Sequence, residues 1–466
     1  MSESIQILQE RLIKLSRTWA SGKDIDPALA EDLRRQVILA NHRYYLEHIP
    51  VYSRLAAQQG IGLDSGVQTI KSRLMLADGI FKSYDGRWLD ENDFGAMNRW
   101  LSSIYHHPIE FDTSGIETVD DWLRALSTAG IRVAFSSGTS GVLSFVPRSR
   151  EDMTVARAAN ASCLPALVGR KQGGKRAMRW LRPLLSRISP QDMMSMVVKA
   201  GIRGFDAVFL GFTSGGTGNQ LLMADMAPLF RRVYYLYDFD LSASALRAVR
   251  RSPRTEKERQ MVADFERVVI ENGQQTYSKL IEHIQASAAD GQKVFIFGAP
   301  FQCLEVCRQL SSRGKKIKLP GGSLVLFGGG WKGFDGQAVG REELVFLLAD
   351  LFGLAPEAVL EGYSMTEISI LTLRCDYGRF HLPPIIEPVF MDAELKPLDN
   401  PVGEAVFAFI DPLALSCPGF IITGDLVQTA FDRCECGLDG PAVTAIRRAG
   451  SQEIKGCGGV MGSIRA

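Results

Sequence analysis

Short apolar segments alternate with amphipathic segments through the middle of this chain, and this alternation restricts the possible folds most strongly. The apolar segments are "RVAFSS", "AVFLGFT", "RVYYLYD", "KVFIFGAP" and "SLVLFGGG", and most of them end in Gly, Ser or Pro. Strands that are buried on both faces have this composition. Helical patterns such as "ERQMVADFERVVIENG" lie between them. The chain is therefore predicted to have a doubly wound α/β core that binds ligands at the carboxyl ends of its strands.

The two flanks of this core have a different pattern. Apolar residues recur at helical spacing near the start of the chain, as at Leu8, Leu12 and Leu15. Beyond residue 383, segments such as "GEAVFAFID" and "GFIITGDLVQTAF" predict short strands without intervening helices. We predict an N-terminal helical segment packed on the core at 1–80, the α/β core at 81–383, a small antiparallel β-barrel at 384–446 and a hinge or tail at 447–466.

The charge balance and the distribution of apolar residues exclude several classes of protein. The 466 residues include 53 basic and 52 acidic side chains, so no excess of positive charge suggests nucleic-acid binding. The start, "MSESIQILQE", lacks the apolar stretch of a signal peptide, and no apolar run is long enough to span a bilayer. We therefore expect a cytoplasmic protein, in which the eight Cys residues are thiols or metal ligands.

Five short motifs carry the candidate catalytic and binding residues. The first is "FSSGTSGVLSFVPRS", in which small residues, hydroxyls and a later cation suit a nucleotide phosphate; its candidates are Ser136, Ser137, Gly138, Thr139, Ser140, Gly141 and Arg148. The others are "LFGGGWKG", "EGYSMTE", "TGDL" and "RRAGSQEIKGCGG"; their candidates are Gly329, Gly330, Tyr363, Thr366, Glu367, Asp425, Arg448 and Cys457. Each motif alone also fits an ordinary loop, turn or tail.

The order and spacing of the five motifs resemble the adenylate-forming superfamily of acyl- and aryl-CoA ligases. Within it, the chain is most similar to the acyl-protein synthetase subunit of bacterial fatty-acid reductases, and the phenylacetate–CoA ligases come next. The resemblance implies the large domain of these enzymes, with doubly wound sheets, flanking helices and a small barrel. It also implies that ATP and Mg²⁺ are used to activate a carboxylic acid, fatty or aromatic, as acyl-AMP. The acyl group would then pass to a protein thiol.

The same resemblance implies a role for each motif residue. The loop at 136–141 would hold the β- and γ-phosphates, with Arg148 in place of the Lys that the family often has. Glu367 would bind Mg²⁺, for which a carboxylate is chemically suited. Tyr363 would stack on adenine and Thr366 would contact the α-phosphate. Asp425 would accept the ribose hydroxyls, and Arg448 would contact both ribose and phosphate. Gly329 and Gly330 would also lie in the nucleotide site.

The end of the sequence departs from the superfamily pattern. Superfamily members usually continue beyond the equivalent of Arg448 into a swivelling domain with a catalytic Lys, whereas 18 residues follow Arg448 here. We expect this domain to be absent or reduced to a stub. The acyl-protein synthetases share the shortened ending, and their last segment carries a Cys that accepts the acyl group. The resemblance therefore implies that Cys457 is the acceptor, with an acyl reductase or an acyl carrier protein as a possible partner.

A second group of residues has the character of a metal site. Cys375 and His381 lie in "CDYGRFH", and Cys434 and Cys436 lie in "CECG" about fifty residues later. Three thiols and an imidazole suit a tetrahedral structural zinc ion. The alternative is that these are buried thiols and a histidine with ordinary hydrogen bonds.

Other functions remain open at this point. The runner-up interpretation is an aryl- or acyl-CoA ligase of the phenylacetate type, or a ligase that loads an acyl carrier protein. An alternative of another class is a non-catalytic subunit stabilised by zinc. The basic stretch "GRKQGGKRAMRWLRPLLSR", at 169–187, fits either a docking surface for an acidic partner or a solvated helix face.

Overall fold

The structure is a computed structural model that describes residues 4–136, 142–168, 204–253, 255–331 and 337–449, with only the backbone considered at 164–168, 250 and 251. The described residues fall into two compact units. The first unit contains the residues up to 133, residues 144–168 and those from 366 onwards. The second contains the described residues of 134–143 and of 169–365.

Helices occupy the first part of the chain and alternate with strands later. In chain order the described α-helices are α1 Ile5–Ala20, α2 Pro27–His48, α3 Pro50–Gln58, α4 Val67–Arg73, α5 Gly86–Asp90, α6 Phe94–Ser103, α7 Val119–Thr128, α8 Arg150–Val168, α9 Gly218–Met226, α10 Ala243–Arg251, α11 Glu256–Glu266, α12 Gly273–Ala289, α13 Pro300–Ser312 and α14 Arg341–Phe352. Local capping explains several starts: the Asp26 carboxylate accepts a hydrogen bond from the Ala28 amide, and Pro27 occupies the first turn of α2.

Fifteen strands lie in the described part of the chain. They are β1 Leu76–Ala77, β2 Ile131–Ser136, β3 Ser144–Ser149, β4 Phe205–Gly215, β5 Arg232–Leu241, β6 Lys293–Gly298, β7 Leu324–Gly328, β8 Val359–Tyr363, β9 Thr372–Leu373, β10 Phe380–His381, β11 Glu387–Met391, β12 Pro397–Leu398, β13 Glu404–Ile410, β14 Phe420–Ala430 and β15 Ala442–Arg448. All five apolar segments quoted from the sequence coincide with strands, namely β2, β4, β5, β6 and β7.

The second unit contributes a run of parallel strands in the order β5-β4-β6-β7-β8. Of these strands β4 comes first in the sequence. The next strand, β5, pairs with one edge of β4, and the following strand, β6, pairs with the other edge. This reversal is the topological switch of a doubly wound sheet, where ligands bind beyond the carboxyl ends of the strands. The central strands are buried, and α12, α13 and α14 pack on them through Ile284, Leu304 and Leu348. The predicted α/β core is thus confirmed.

The first unit contains the N-terminal helices and a mainly antiparallel sheet. Its strands follow the order β10-β15-β14-β13-β11-β12, and β1 pairs in parallel with β14. The antiparallel pairing predicted after residue 383 is confirmed, but the barrel is not: the described strands form an open sheet, with β10 and β12 at its ends. The sequence also missed β1, because two residues within a helical region give no strand signal.

No helix among the described residues combines the length and the apolar composition that crossing a membrane requires. The predicted boundaries at residues 80, 383 and 446 remain predictions.

Candidate functional site

One arginine lies between two carboxylates at the end of the antiparallel sheet. The register of β14 and β15 places Asp425 opposite Arg448, and Arg448 Nη1 lies 3.0 Å from Asp425 Oδ1. Arg448 Nη2 lies 3.0 Å from Asp78 Oδ2. Burial disfavours the charged form of Arg448, but the two carboxylates outweigh burial, so the pKa of Arg448 is raised. The guanidinium is therefore fixed by charge as well as by hydrogen bonds.

The sequence "TGD", at 423–425 within β14, has a local structural reason at each position. A Cβ atom on Gly424 would lie 2.5 Å from Arg448 Cζ, so any side chain there would displace the guanidinium. Thr423 Oγ1 donates a hydrogen bond to the Phe407 carbonyl at 2.6 Å and accepts one from the Asp425 amide at 3.1 Å. These contacts fix the backbone on which the Asp425 carboxylate is carried.

Asp78 is a residue of this site that the motifs did not reveal. It follows β1 directly, and β1 pairs with β14 through Leu76–Ile421 and Ala77–Ile422. The pairing brings an acid from the N-terminal part of the chain beside Arg448. The only signal in the sequence is an acid after the buried segment at 74–77, which is too common a pattern to be informative.

Glu367 lies in an irregular segment and is half-buried. Thr366 Oγ1 donates a hydrogen bond to Glu367 Oε2 at 3.0 Å. Burial raises the pKa of Glu367, and the negative charge of Asp78 raises it further. A carboxylate whose negative charge is disfavoured in this way suits a cation, so the residues present fit the Mg²⁺ that the resemblance implies.

Arg148 lies at the end of the predicted phosphate-binding motif, but its side chain is buried. It is 7 % exposed, and its Nη2 donates a hydrogen bond to the Glu367 backbone carbonyl at 2.7 Å. Its Nη1 lies 3.9 Å from the Asp152 carboxylate. These contacts make Arg148 a support for the Glu367 backbone, and its predicted contact with phosphate remains a prediction.

The remaining nucleotide candidates that the structure describes belong to the second unit. Ser136 ends β2, Tyr363 ends β8, and Gly329 and Gly330 follow β7 with φ angles of +88° and +68°. These positive φ angles explain the choice of glycine, since other residues are strained there. β7 and β8 are parallel neighbours, so their carboxyl ends lie at the same edge of the sheet. Ser137, Gly138, Thr139, Ser140, Gly141 and Cys457 lie outside the described residues, as does the basic stretch at 169–187.

The four predicted metal ligands converge. Their ligand atoms all lie within 4.8 Å of one another, across Cys375, His381, Cys434 and Cys436. The Cys375 and Cys434 sulfurs are 3.9 Å apart, and Cys436 Sγ lies 3.2 Å from His381 Nε2. Tetrahedral zinc with ordinary bond lengths requires separations of about 3.8 Å between two sulfurs and about 3.5 Å between sulfur and nitrogen. The observed geometry is therefore close to that of a zinc site.

Two turns and one short strand bring these ligands together. Cys375 begins a turn into β10, closed by the Gly378 amide donating to the Cys375 carbonyl at 3.0 Å, and β10 carries His381. Cys434 and Cys436 lie in the turn between β14 and β15. The hydrogen bond with Cys436, followed by one with His381, lowers the pKa of Cys375, while the pKa of Cys436 is raised because it retains the shared proton. A thiol that ionises readily is a ready metal ligand.

Comparison with known proteins identifies a family and two relatives that are similar to part of the chain. Residues 261–464 match the family model described as acyl-protein synthetase, LuxE. A long-chain-fatty-acid–luciferin-component ligase of Aliivibrio fischeri is 24% identical over 200 residues, which are 42% of this chain and 52% of that protein. The ligase of the same name from Vibrio harveyi is 26% identical over 170 residues, 36% of this chain and 44% of that protein. The chain thus spans only about half the length of these relatives.

Solved structures extend the comparison to the fold. An open conformation of 2-hydroxyisobutyryl-CoA ligase is 12% identical, covers 90% of this chain and 69% of its own, and has a TM-score of 0.51. The same ligase in its thioesterification state is 14% identical, covers 92% and 70%, and also has a TM-score of 0.51. Likeness at this identity concerns the fold alone, which this chain shares with 2-hydroxyisobutyryl-CoA ligase. The predicted resemblance is confirmed: the chain has this fold, and its residues 261–464 are similar to the acyl-protein synthetase family.

Proposed function

We propose that the chain activates a carboxylic acid with ATP and transfers the acyl group to a protein thiol. The observation that carries the proposal is the hydrogen-bonded pair of Asp425 and Arg448, together with Glu367, on whose pKa the charge of Arg448 has an effect. All three lie within the part of the chain that matches the acyl-protein synthetase family. Because the curated relatives are named ligases of long-chain fatty acids, such an acid is the proposed substrate class.

In the first step a carboxylate oxygen attacks the α-phosphorus of ATP and pyrophosphate leaves. Tyr363 is proposed to bind adenine and Thr366 the α-phosphate. Asp425 is proposed to bind ribose, and Arg448 both ribose and phosphate. The residues at 136–141, with Gly329 and Gly330, hold the other phosphates. Bound Mg²⁺ supplies positive charge against the phosphate oxygens, and Glu367 is the residue proposed to hold it. In the second step a thiolate attacks the acyl carbonyl carbon, a thioester forms and AMP leaves.

The activity is tested by acid-dependent exchange of labelled pyrophosphate into ATP. We expect wild type to exchange with long-chain fatty acids and Glu367→Gln to exchange roughly a hundredfold more slowly, the usual effect of removing one electrostatic element from a transition state. Glu305→Gln is the matched control, since Glu305 is a half-buried glutamate on α13 whose side chain accepts a hydrogen bond from Gln309. Absence of exchange with every acid would favour the non-catalytic alternative.

The acyl acceptor is proposed to be Cys457 or a thiol of a partner, either an acyl reductase or an acyl carrier protein. With labelled acid, ATP and no CoA, wild type should acquire a hydroxylamine-sensitive label. Cys457→Ser should still form acyl-AMP but lose the thioester, whereas Cys307→Ser, which removes a buried thiol of α13, should keep it. If free CoA is the preferred acceptor, the chain is instead a CoA ligase.

We also propose that Cys375, His381, Cys434 and Cys436 bind one structural zinc ion. Support comes from the ligand atoms of the four residues, which all lie within 4.8 Å of one another. The Leu438 amide lies 3.5 Å from Cys436 Sγ and donates to it, as amides often do to metal thiolates. Protein purified without chelator should contain about one zinc per chain, as a single four-ligand site requires.

The zinc proposal has a matched control within the chain. Cys434→Ser should lose the metal and lower the thermal midpoint, because metal binding contributes to folding free energy. Cys303→Ser alters another buried thiol, on α13, and should keep the metal. Wild type without zinc would return the four residues to an ordinary hydrogen-bonded cluster. The cytoplasmic location remains a prediction.

A further inference from the structure

The backbone around Glu367 is held by side chains rather than by regular secondary structure. Residues 366–371, here the Glu367 segment, lie before β9 and form no helix or strand. Backbone amides and carbonyls that are partly buried outside regular structure need other partners, because leaving them unpaired is costly. The identity of these partners decides how firmly the Glu367 carboxylate is placed.

Three polar side chains from separate parts of the first unit bind this segment. Arg148, on β3, donates to the Glu367 carbonyl at 2.7 Å. Asp411, which follows β13, accepts from the Ser369 amide at 2.8 Å. Asn160, on α8, binds twice: its Nδ2 donates to the Ser369 carbonyl at 2.7 Å, and its Oδ1 accepts from the Leu371 amide at 2.9 Å.

Two of these side chains are buried charges that are themselves held in place. Arg148 is paired with Asp152, which is buried and accepts hydrogen bonds from the Leu415 and Ser416 amides at 3.0 and 2.9 Å. Asp411 is fully buried, and its second oxygen accepts from the Leu413 amide at 3.0 Å. Burying charge is unfavourable unless it is paired, so apolar packing would stabilise a purely structural loop more simply.

We propose that Arg148, Asn160 and Asp411 are positioning residues that fix the Glu367 segment so that the carboxylate can hold Mg²⁺. The proposal rests on the proposed function for the role of Glu367, and it gives Arg148 a task other than phosphate contact. In this role each of the three side chains acts through the backbone of residues 367–371. Catalytic groups depend on such support, since small displacements cause large losses of rate.

The first test measures the positions of the backbone bonds and does not depend on activity. Hydrogen exchange is followed at the Ser369 and Leu371 amides in the full-length chain. Asn160→Ala and the milder Asn160→Asp should each change protection: exchange at Leu371 becomes at least severalfold faster in Asn160→Ala, and Asn160→Asp retains the acceptor for Leu371 but loses the donor to Ser369. Asn98→Ala is the control, because Asn98 is a buried asparagine of α6 that binds Trp122 instead.

The second test measures the Mg²⁺ concentration that gives half-maximal pyrophosphate exchange. In Arg148→Lys and Asn160→Asp this concentration should rise roughly tenfold, because a displaced carboxylate binds the cation less well. Arg34→Lys is the matched control: Arg34 forms a largely buried ion pair with Glu387 in the same unit, and this variant should leave the Mg²⁺ response unchanged. General loss of stability would lower activity in all three variants without a specific change in Mg²⁺ response.

The outcomes separate this proposal from the proposed function. Unchanged protection at both amides in the Asn160 variants, or equal Mg²⁺ responses in the Arg148, Asn160 and Arg34 variants, overturns the positioning role. If wild type catalyses no exchange with any acid, the proposed function fails. In that case the hydrogen-exchange result alone decides whether the three residues fix the segment. We expect added Mn²⁺ to increase protection at the Ser369 and Leu371 amides in wild type. Absence of this increase would overturn the link between the segment and a cation.

Discussion

Arg448 binds two carboxylates, and this arrangement determines what each carboxylate contributes. Asp425 and Asp78 approach different nitrogens of the same guanidinium. A carboxylate can accept several hydrogen bonds, so Asp425 is able to bind Arg448 and ribose hydroxyls at the same time. Asp78 enters the site through β1 and is placed to orient the guanidinium. Loss of either acid should therefore affect nucleotide binding, but by different routes.

The difference between the two acids can be measured with a nucleotide analogue. Asp425→Ala should raise the KM for ATP roughly tenfold or more, as expected when a charged hydrogen bond is lost from ground and transition states alike. Wild type and Asp78→Ala should both prefer ATP to 2′-deoxy-ATP, whereas Asp425→Ala should no longer distinguish them. Equal discrimination in all three proteins would remove Asp425 from the ribose site.

At this scale the sequence predicted residues that belong to compact motifs and missed those that do not. Asp425, Arg448 and the four candidate metal ligands were predicted because spacing or resemblance marked them, and their roles stay predictions. Asp78, Asn160 and Asp411 are single polar residues far from the motifs, and only the fold brings them to the site. Arg148 was recognised, but its burial follows from tertiary packing that no local pattern encodes.

Among the elements, α2, α4 and β11 are joined by one glutamate. Glu387 of β11 forms ion pairs with Arg34 of α2 and Lys71 of α4, and all three side chains are largely buried. Burial alone would raise the pKa of Glu387, but the two cations outweigh it and lower the pKa below its ordinary value of 4.5. A lowered pKa means that this stabilisation is present above the ordinary value and is lost as the pH falls through the folded-state value.

Glu387→Gln should therefore destabilise the protein at neutral pH and flatten its acid response. Removing one partner leaves two buried cations uncompensated, which costs about 3 kcal/mol in the free energy of unfolding. Denaturant unfolding of both proteins between pH 7 and pH 3 provides the measurement. The gap between wild type and variant should narrow below the ordinary pKa of a glutamate; a constant gap across this range would contradict the pairing.

The turn between β14 and β15 connects the metal ligands to the N-terminal helices. Trp19 of α1 donates from Nε1 to the Asp439 carbonyl at 2.8 Å and packs against Leu438, with Cys436 beside this cluster. If the proposed zinc ion is bound, its removal should therefore change the fluorescence of Trp19. The change on adding a chelator should disappear in Trp19→Phe and persist in Trp88→Phe, whose tryptophan lies on α5. The same change in both variants would place the signal elsewhere.

The elements that the sequence predicted share one property: each carries its pattern within its own residues. Strands β4, β6 and β7 are continuous apolar runs, and α1 has a helical apolar repeat. Closure of the second sheet into a barrel depends instead on pairing between distant strands, and the observed order leaves β10 and β12 as its ends. Pairing of β1 with β14 was likewise beyond local reasoning.

For the whole molecule, the division into two units predicts more than one unfolding step. The metal ligands and the acid–arginine cluster belong to the first unit, and the parallel sheet belongs to the second. Hydrogen exchange is followed at increasing urea concentrations with and without a chelator. With the chelator, β11, β13 and β14 should lose protection at a lower urea concentration, whereas β4 and β6 should be unaffected. Simultaneous loss of protection in both sets would mean that the units unfold together.

The composition of the first unit from separate stretches of chain has a consequence during synthesis on the ribosome. Leu76 pairs with Ile421, and the side chains of Gln9 and Asn41 both donate to the Pro412 carbonyl. These partners are synthesised several hundred residues later. Until those late residues emerge, Gln9, Asn41 and Leu76 lack these partners. The strands from β4 to β8, in contrast, follow one another along the chain. Nascent chains halted after β8 should therefore hold a formed parallel sheet beside exposed N-terminal helices, a species that attracts chaperones.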